Sequence, residues 1–115
     1  MTLIAHRGDL PLSYERAFRP WRYSVSHREL VLRASETDTE PALEALFVGV
    51  AAMKLRRVFN PLTITRASRA QAAEIQKFAD LDREIRSSWR TLIVSDGTHE
   101  GFVVCNNLQV FQLPH

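Results

Sequence analysis

The sequence predicts an α+β domain: a curved, mainly antiparallel sheet of about five to seven strands, partly closed into a barrel in one variant, with one helix packed on it. Three observations carry this. Residues 21–26 alternate apolar and polar with a period of two, and residues 30–35 continue the hairpin after a turn, with Val31 blurring the outer face. Residues 45–50 are apolar or small on both alternating faces, the mark of a central strand covered on both sides. Residues 70–86 are rich in helix formers and hold no Gly or Pro.

Taken in order, residues 1–20 hold Pro11 and Pro20 and read as an N-terminal arm. Tyr14, Ala17 and Phe18 line one side of a short helix that Pro20 would end, a lid on the sheet. In residues 21–26, Trp21, Tyr23 and Val25 share a face expected to be the core face. Residues 26–29 turn the chain, and Leu30, Leu32 and Ala34 continue inward. The segment ETDTEP, residues 36–41, is a polar loop with three carboxylates.

Leu46, Val48 and Val50 then alternate with Ala45, Phe47 and Gly49. Gly49 signals a bulge or the close approach of another element. Residues 53–59 fit either an extension of this strand or a break from it, and Asn60-Pro61 turns into the short strand LTITR, so strands occupy residues 21–66. Ser68 is a helix N-cap. The helix is expected over 68–87, with Ile75, Phe78, Leu81 and Ile85 in one apolar stripe against the sheet. Residues 89–113 return to strands: 90–95, then the turn DGTHEG, then 102–105, Asn106-Asn107, and 108–113.

One domain is expected from 115 residues, with 45% hydrophobic and 24% charged residues, a composition that builds a core and argues against disorder. The net charge of +2 and pI near 9.1 permit an anionic partner without requiring one. The single cysteine, Cys105, excludes an intrachain disulfide. The opening residues lack the basic and long apolar regions of a signal peptide, and no apolar run approaches the roughly 20 residues of a membrane span. A cytoplasmic protein with no membrane partner is the expectation.

Ile4-Ala5-His6-Arg7-Gly8 resembles the opening of glycerophosphodiester phosphodiesterases. That family's TIM barrel typically needs about 250 residues. No Glu-x-Asp metal pair follows here, so no role passes to His6 or Arg7. The four histidines, His6, His27, His99 and His115, show no metal spacing. His27 and His99 both fall in hairpin turns; sharing one end of the sheet, they would form an acid–base or metal pair with Glu29 or Glu100. Cys105 needs a base to be a nucleophile, and His99 across the hairpin is the candidate; otherwise it is a small core residue. No glycine cradle for phosphates occurs, and no cofactor is expected. Nucleic acid is disfavoured, since thirteen acids dilute the field of the arginines and the aromatics read as core.

Residues 23–35, followed by Leu46-Phe47-Val48-Gly49-Val50 and Leu62-Thr63-Ile64, resemble a group of small bacterial β-rich proteins. In these a hairpin precedes an L-F-x-x-V strand and an L-x-I strand, and some similar domains are immunity proteins of contact-dependent toxin systems. The resemblance implies a fold and a protein partner; it transfers no functional residue.

The leading expectation is a non-enzymatic protein-interaction domain, with another protein or a second copy of itself (a homodimer) as partner. Its contacts would come from ETDTEP, from residues 95–101 (SDGTHEG) and from Arg56 and Arg57. The alternative is a small apolar ligand in a cavity between sheet and helix, lined by Trp21, Tyr23 and Trp89. The third is a small enzyme using His27, His99 or Cys105, which requires His27 and His99 to converge.

Overall fold

Along β5 (Leu43–Val48) buried Leu43, Ala45 and Phe47 alternate with half-buried Glu44, Leu46 and Val48. This strand occupies the middle of a sheet, as its composition predicts. In a computed structural model describing residues 1–80 and 89–115, the first sheet runs β1 (Thr2–His6), β10 (Asn107–Gln112), β5, β4 (Glu29–Ala34), β3 (Arg19–Ser24). The second runs β2 (Leu12–Tyr14), β7 (Leu62–Arg66), β8 (Arg90–Ser95), β9 (Glu100–Cys105), β6 (Ala52–Lys54). Both are antiparallel and neither closes into a barrel. Among the described residues one α-helix, α1 (Arg69–Ala79), completes an α+β fold.

The count exceeds the expected number of strands because β1, β2 and β6 are short or weakly patterned. Their identity comes from pairing, not from periodicity. The core lies between the sheets. Leu30, Leu32, Phe47, Leu108 and Val110 of the first meet Leu62, Ile64, Leu92, Val94 and Val103 of the second. Phe18 and Phe59 close one end, each fully buried, with their backbones paired in both directions at 2.9 Å. Each such phenylalanine contributes about 1.5–3 kcal/mol by leaving water.

Three expectations are corrected. Residues 1–20 are no arm: β1 pairs with β10 and β2 pairs with β7. The short helix there gives way to β2 and the Phe18 bridge, because burying Phe18 against Phe59 outweighs a weak local helical stripe. The face expected to be core in β3 is largely exposed: Trp21 is 54% exposed, Tyr23 38% and Val25 79%. A bulge between Pro20 and Arg22 makes Trp21 the extra residue, which breaks the alternation. Tyr23 still stands opposite Leu30, on the inner face, but β3 is an edge strand and nothing flanks it. Val25 lies in the turn that follows.

Gly49 meets its expectation. Its φ is +68°, a left-handed conformation that a β-carbon disfavours, and the Asn106 side chain occupies the space where that carbon would stand. Ser68 caps α1 reciprocally with Gln71: Ser68 Oγ accepts from the Gln71 N–H at 3.1 Å, and Gln71 Oε1 accepts from the Ser68 N–H at 2.8 Å. Asp80 ends the helix with φ 51° and ψ 49°. The expected continuation to residue 87, including Leu81 and Ile85, lies outside the described residues. Within them, α1 has no buried residue; Ile75 rests half-buried against Ile93, Phe102 and Val104.

Candidate functional site

The strand pairings decide which loops share an end of the molecule. The β3–β4 turn, residues 25–28, is tied near the end of β9: Arg28 O accepts from the Val50 N–H, and Val104 O accepts from the Ala51 N–H, both at 2.8 Å. The other end of the β4–β5 hairpin is ETDTEP, residues 36–41. That loop is anchored through Arg16, whose side chain donates to Ser35 O and Pro41 O and whose N–H donates to Tyr14 O, to the end of β2 that pairs with Leu62 of β7. Arg19 opposite Arg33, Phe18 opposite Phe59 and Thr63 opposite Ser95 make the same connection independently. Lys54 pairs with Phe102, so Arg56 and Arg57, following β6, continue towards Glu100. Thus ETDTEP, Arg56–Arg57 and the turn of residues 95–100 gather at one end.

The loops of residues 36–41 and 95–100 are each held by hydrogen bonds. Arg16, half-buried, donates to the carbonyls of Ser35 at 2.8 Å and Pro41 at 3.1 Å, and pairs with Glu40 at 3.1 Å. Thr37 Oγ1 accepts from the N–H groups of Thr39 and Glu40, and His115 Nε2 lies 2.9 Å from Thr37 O. Asp96 Oδ1 accepts from the N–H groups of Thr98 at 2.9 Å and His99 at 2.7 Å. These backbone bonds, from His99 first and then Thr98, hold the Asp96 carboxyl below its ordinary 3.8. Arg56 and Arg57 are exposed between β6 and Phe59.

Trp21 stands at the rim of this end. The guanidinium of Arg33 lies 4.9 Å from the centroid of its ring, and Arg33 NH1 donates to Glu44 Oε2 at 3.1 Å. An indole that is 54% exposed is therefore positioned rather than loose. Sequence reasoning missed Arg16, Arg33 and Glu44. Arg33 and Glu44 face each other across β4 and β5, an opposite-charge pair that reads as a signal only once the register is known.

The other predicted residues lie apart. His27 sits in the 25–28 turn and His99 before the start of β9, so roughly 17 Å of strand, at about 3.3 Å per residue, separates their ends. The expected acid–base or metal pair does not form, because the two hairpins point in opposite directions. Cys105 is buried in the core at the far end of β9 from His99, and desolvation pushes its thiol up to about 12. It is a core residue and not a thiolate nucleophile. Trp89 borders a cavity of about 260 Å³ with Arg7, Arg66 and Gln76, on the second sheet. Trp21 and Tyr23 belong to the opposite sheet, so the three aromatics do not line one cavity.

His6 serves its own turn: its Nδ1 accepts from the Gly8 N–H at 3.0 Å, and its own N–H donates to Asp9 Oδ2 at 2.9 Å. Arg7 donates to Asn106 O at 3.0 Å. Among the described residues no group of three His, Cys, Asp or Glu side chains is placed to hold a metal ion, and no helix is long and apolar enough to cross a membrane. No family model, curated protein or solved structure matches this chain.

Proposed function

We propose that this chain is a non-catalytic protein-interaction domain, and that the end formed by residues 36–41, 56–57 and 95–100, with Trp21 at its rim, is its contact surface. The convergence of these three loops carries the reading. They come from distant parts of the sequence, and only the pairing of two sheets brings them together. Their chemistry suits a protein partner: the loops expose the carboxylates of Glu36, Asp38 and Glu100 and the cations of Arg56 and Arg57, with one stacked tryptophan. Protein hot spots are enriched in Trp and Arg, and rim charges steer association. The resemblance to small bacterial proteins, some of immunity type, agrees with this reading and would make the partner a toxin. A second copy of the chain is the other candidate partner.

Native mass spectrometry of protein purified gently from its own host tests it. A stoichiometric second polypeptide, lost when Arg56 and Arg57 are replaced by Glu or when Trp21 is replaced by Ala, is the expected result. A complex that survives all three substitutions rules out this surface. A chain that carries only a small molecule overturns the interaction reading itself.

A further inference from the structure

Helix α1 lies on the outer face of the second sheet without closing on it. Ile75 is its main anchor there. Phe78, one turn further on, is 77% exposed and meets Phe102 edge-on, with ring centroids 6.0 Å apart. A cavity of about 410 Å³ remains between helix and sheet, within the range of about 300–1,000 Å³ that holds small molecules. Ile75, Phe78, Ile93 and Phe102 make it apolar. Its charged lining is Lys54, Glu74 and Glu100, two carboxylates against one ammonium. Among the described residues none of these three forms an ion pair.

We propose that this cavity binds a small organic cation: an ammonium carried on an apolar or aromatic body, with the body against Phe78 and Phe102 and the charge beside Glu74 and Glu100. Both halves of the ligand follow from the lining. Apolar walls recover the area of a ring or short chain leaving water. Aromatic faces attract a cation through their quadrupole, and two carboxylates add charge-assisted hydrogen bonds to its N–H groups. An anionic ligand would face two like charges at the same place. The inference goes beyond the interaction reading and stands independently of it, although Glu100 belongs to both surfaces.

The test is an NMR titration of the full chain with 2-phenylethylamine, using 2-phenylethanol as neutral probe and 3-phenylpropionate as anionic probe. The amine should give saturable shifts at Ile75, Ile93, Gly101 and Phe102, and bind about tenfold more tightly than the alcohol, the effect of one charged hydrogen bond. Glu74→Gln and Glu100→Gln should each weaken the amine and leave the alcohol unchanged. Both side chains are exposed, so melting temperature should not move. Equal binding of amine and alcohol overturns the cationic class while leaving a ligand cavity. Tighter binding of the anion does the same. If no probe shifts these residues, the site itself is overturned, and the loop surface is untouched by that result.

Discussion

Arg33 holds Trp21 from below: its guanidinium sits 4.9 Å from the centroid of the indole ring, while its NH1 donates to Glu44 at 3.1 Å. The chain thus runs from a carboxylate on a central strand, through a half-buried arginine, to an exposed aromatic on the edge. Glu44→Gln should loosen this arrangement without unfolding the domain. The expected readout is faster depolarisation of Trp21 fluorescence, measured in a Trp89→Phe background so that one indole reports. Unchanged anisotropy would show that Glu44 does not position Trp21. Trp21→Ala should cost about 1 kcal/mol of stability or less, the scale of an exposed cation–π contact, as read by urea denaturation.

Gly101 faces the backbone carbonyl of Lys54 so closely that a β-carbon there would overlap it. Backbone cannot swing aside as a side chain does. Gly101→Ala should therefore destabilise by about 1–3 kcal/mol, the cost of overpacking, and displace β6 from β9. Gly97→Ala is the control: it has open space around it but a φ of +92°, so its cost is conformational alone and leaves the β6–β9 amide signals in place.

Asp96 links the β8–β9 turn to pH. Its folded carboxyl titrates below the ordinary 3.8, because the backbone N–H groups of His99 and Thr98 favour the charged form. A depressed folded value means that the stabilisation is fully present above 3.8 and is lost as pH falls through the lower native value. A carboxyl NMR titration should place the Asp96 midpoint below 3.8. In Asp96→Ala the amides of Thr98 and His99 should exchange faster at neutral pH.

Cys105 should resist alkylation in the native protein. Its thiol is buried and pushed up to about 12, so at pH 8 the thiolate is nearly absent and the sulfur is out of reach. Mass spectrometry after iodoacetamide should show no adduct without denaturant and one adduct in concentrated urea. Labelling at a rate independent of urea would place the thiol at the surface instead.

Several elements were legible from residue order. Leu30, Leu32 and Ala34 face the core as their alternation predicts, and Ser68 caps the helix where its side chain competes for the first free N–H groups. The Asp-Gly turn joins β8 to β9. Trp21 departs from the expected face because it is the extra residue of a bulge that breaks the alternation before Arg22, whereas Tyr23 keeps its face but lies on an uncovered edge strand and Val25 falls in the turn. Phe18 looked helical because its neighbours are neutral between helix and strand, and its partner, Phe59, is far away in sequence. Of the candidate surface, the loops and Arg56–Arg57 were legible as polar and exposed. Arg16, Arg33 and Glu44, which hold the surface together, were not.

By itself the sequence determined the local grammar of this protein: which stretches are extended, where the helix begins, where the chain turns, and that a lone cysteine sits in an apolar strand. Those properties depend on residues a few positions apart. The tertiary structure alone decided that the strands divide between two sheets, that His27 and His99 lie at opposite ends, that three distant loops share one end, and that α1 leaves a cavity beneath it. These depend on strand register and on which hydrophobic faces meet. Both are set by hydrogen bonds and packing between residues far apart in the chain, where periodicity carries no information.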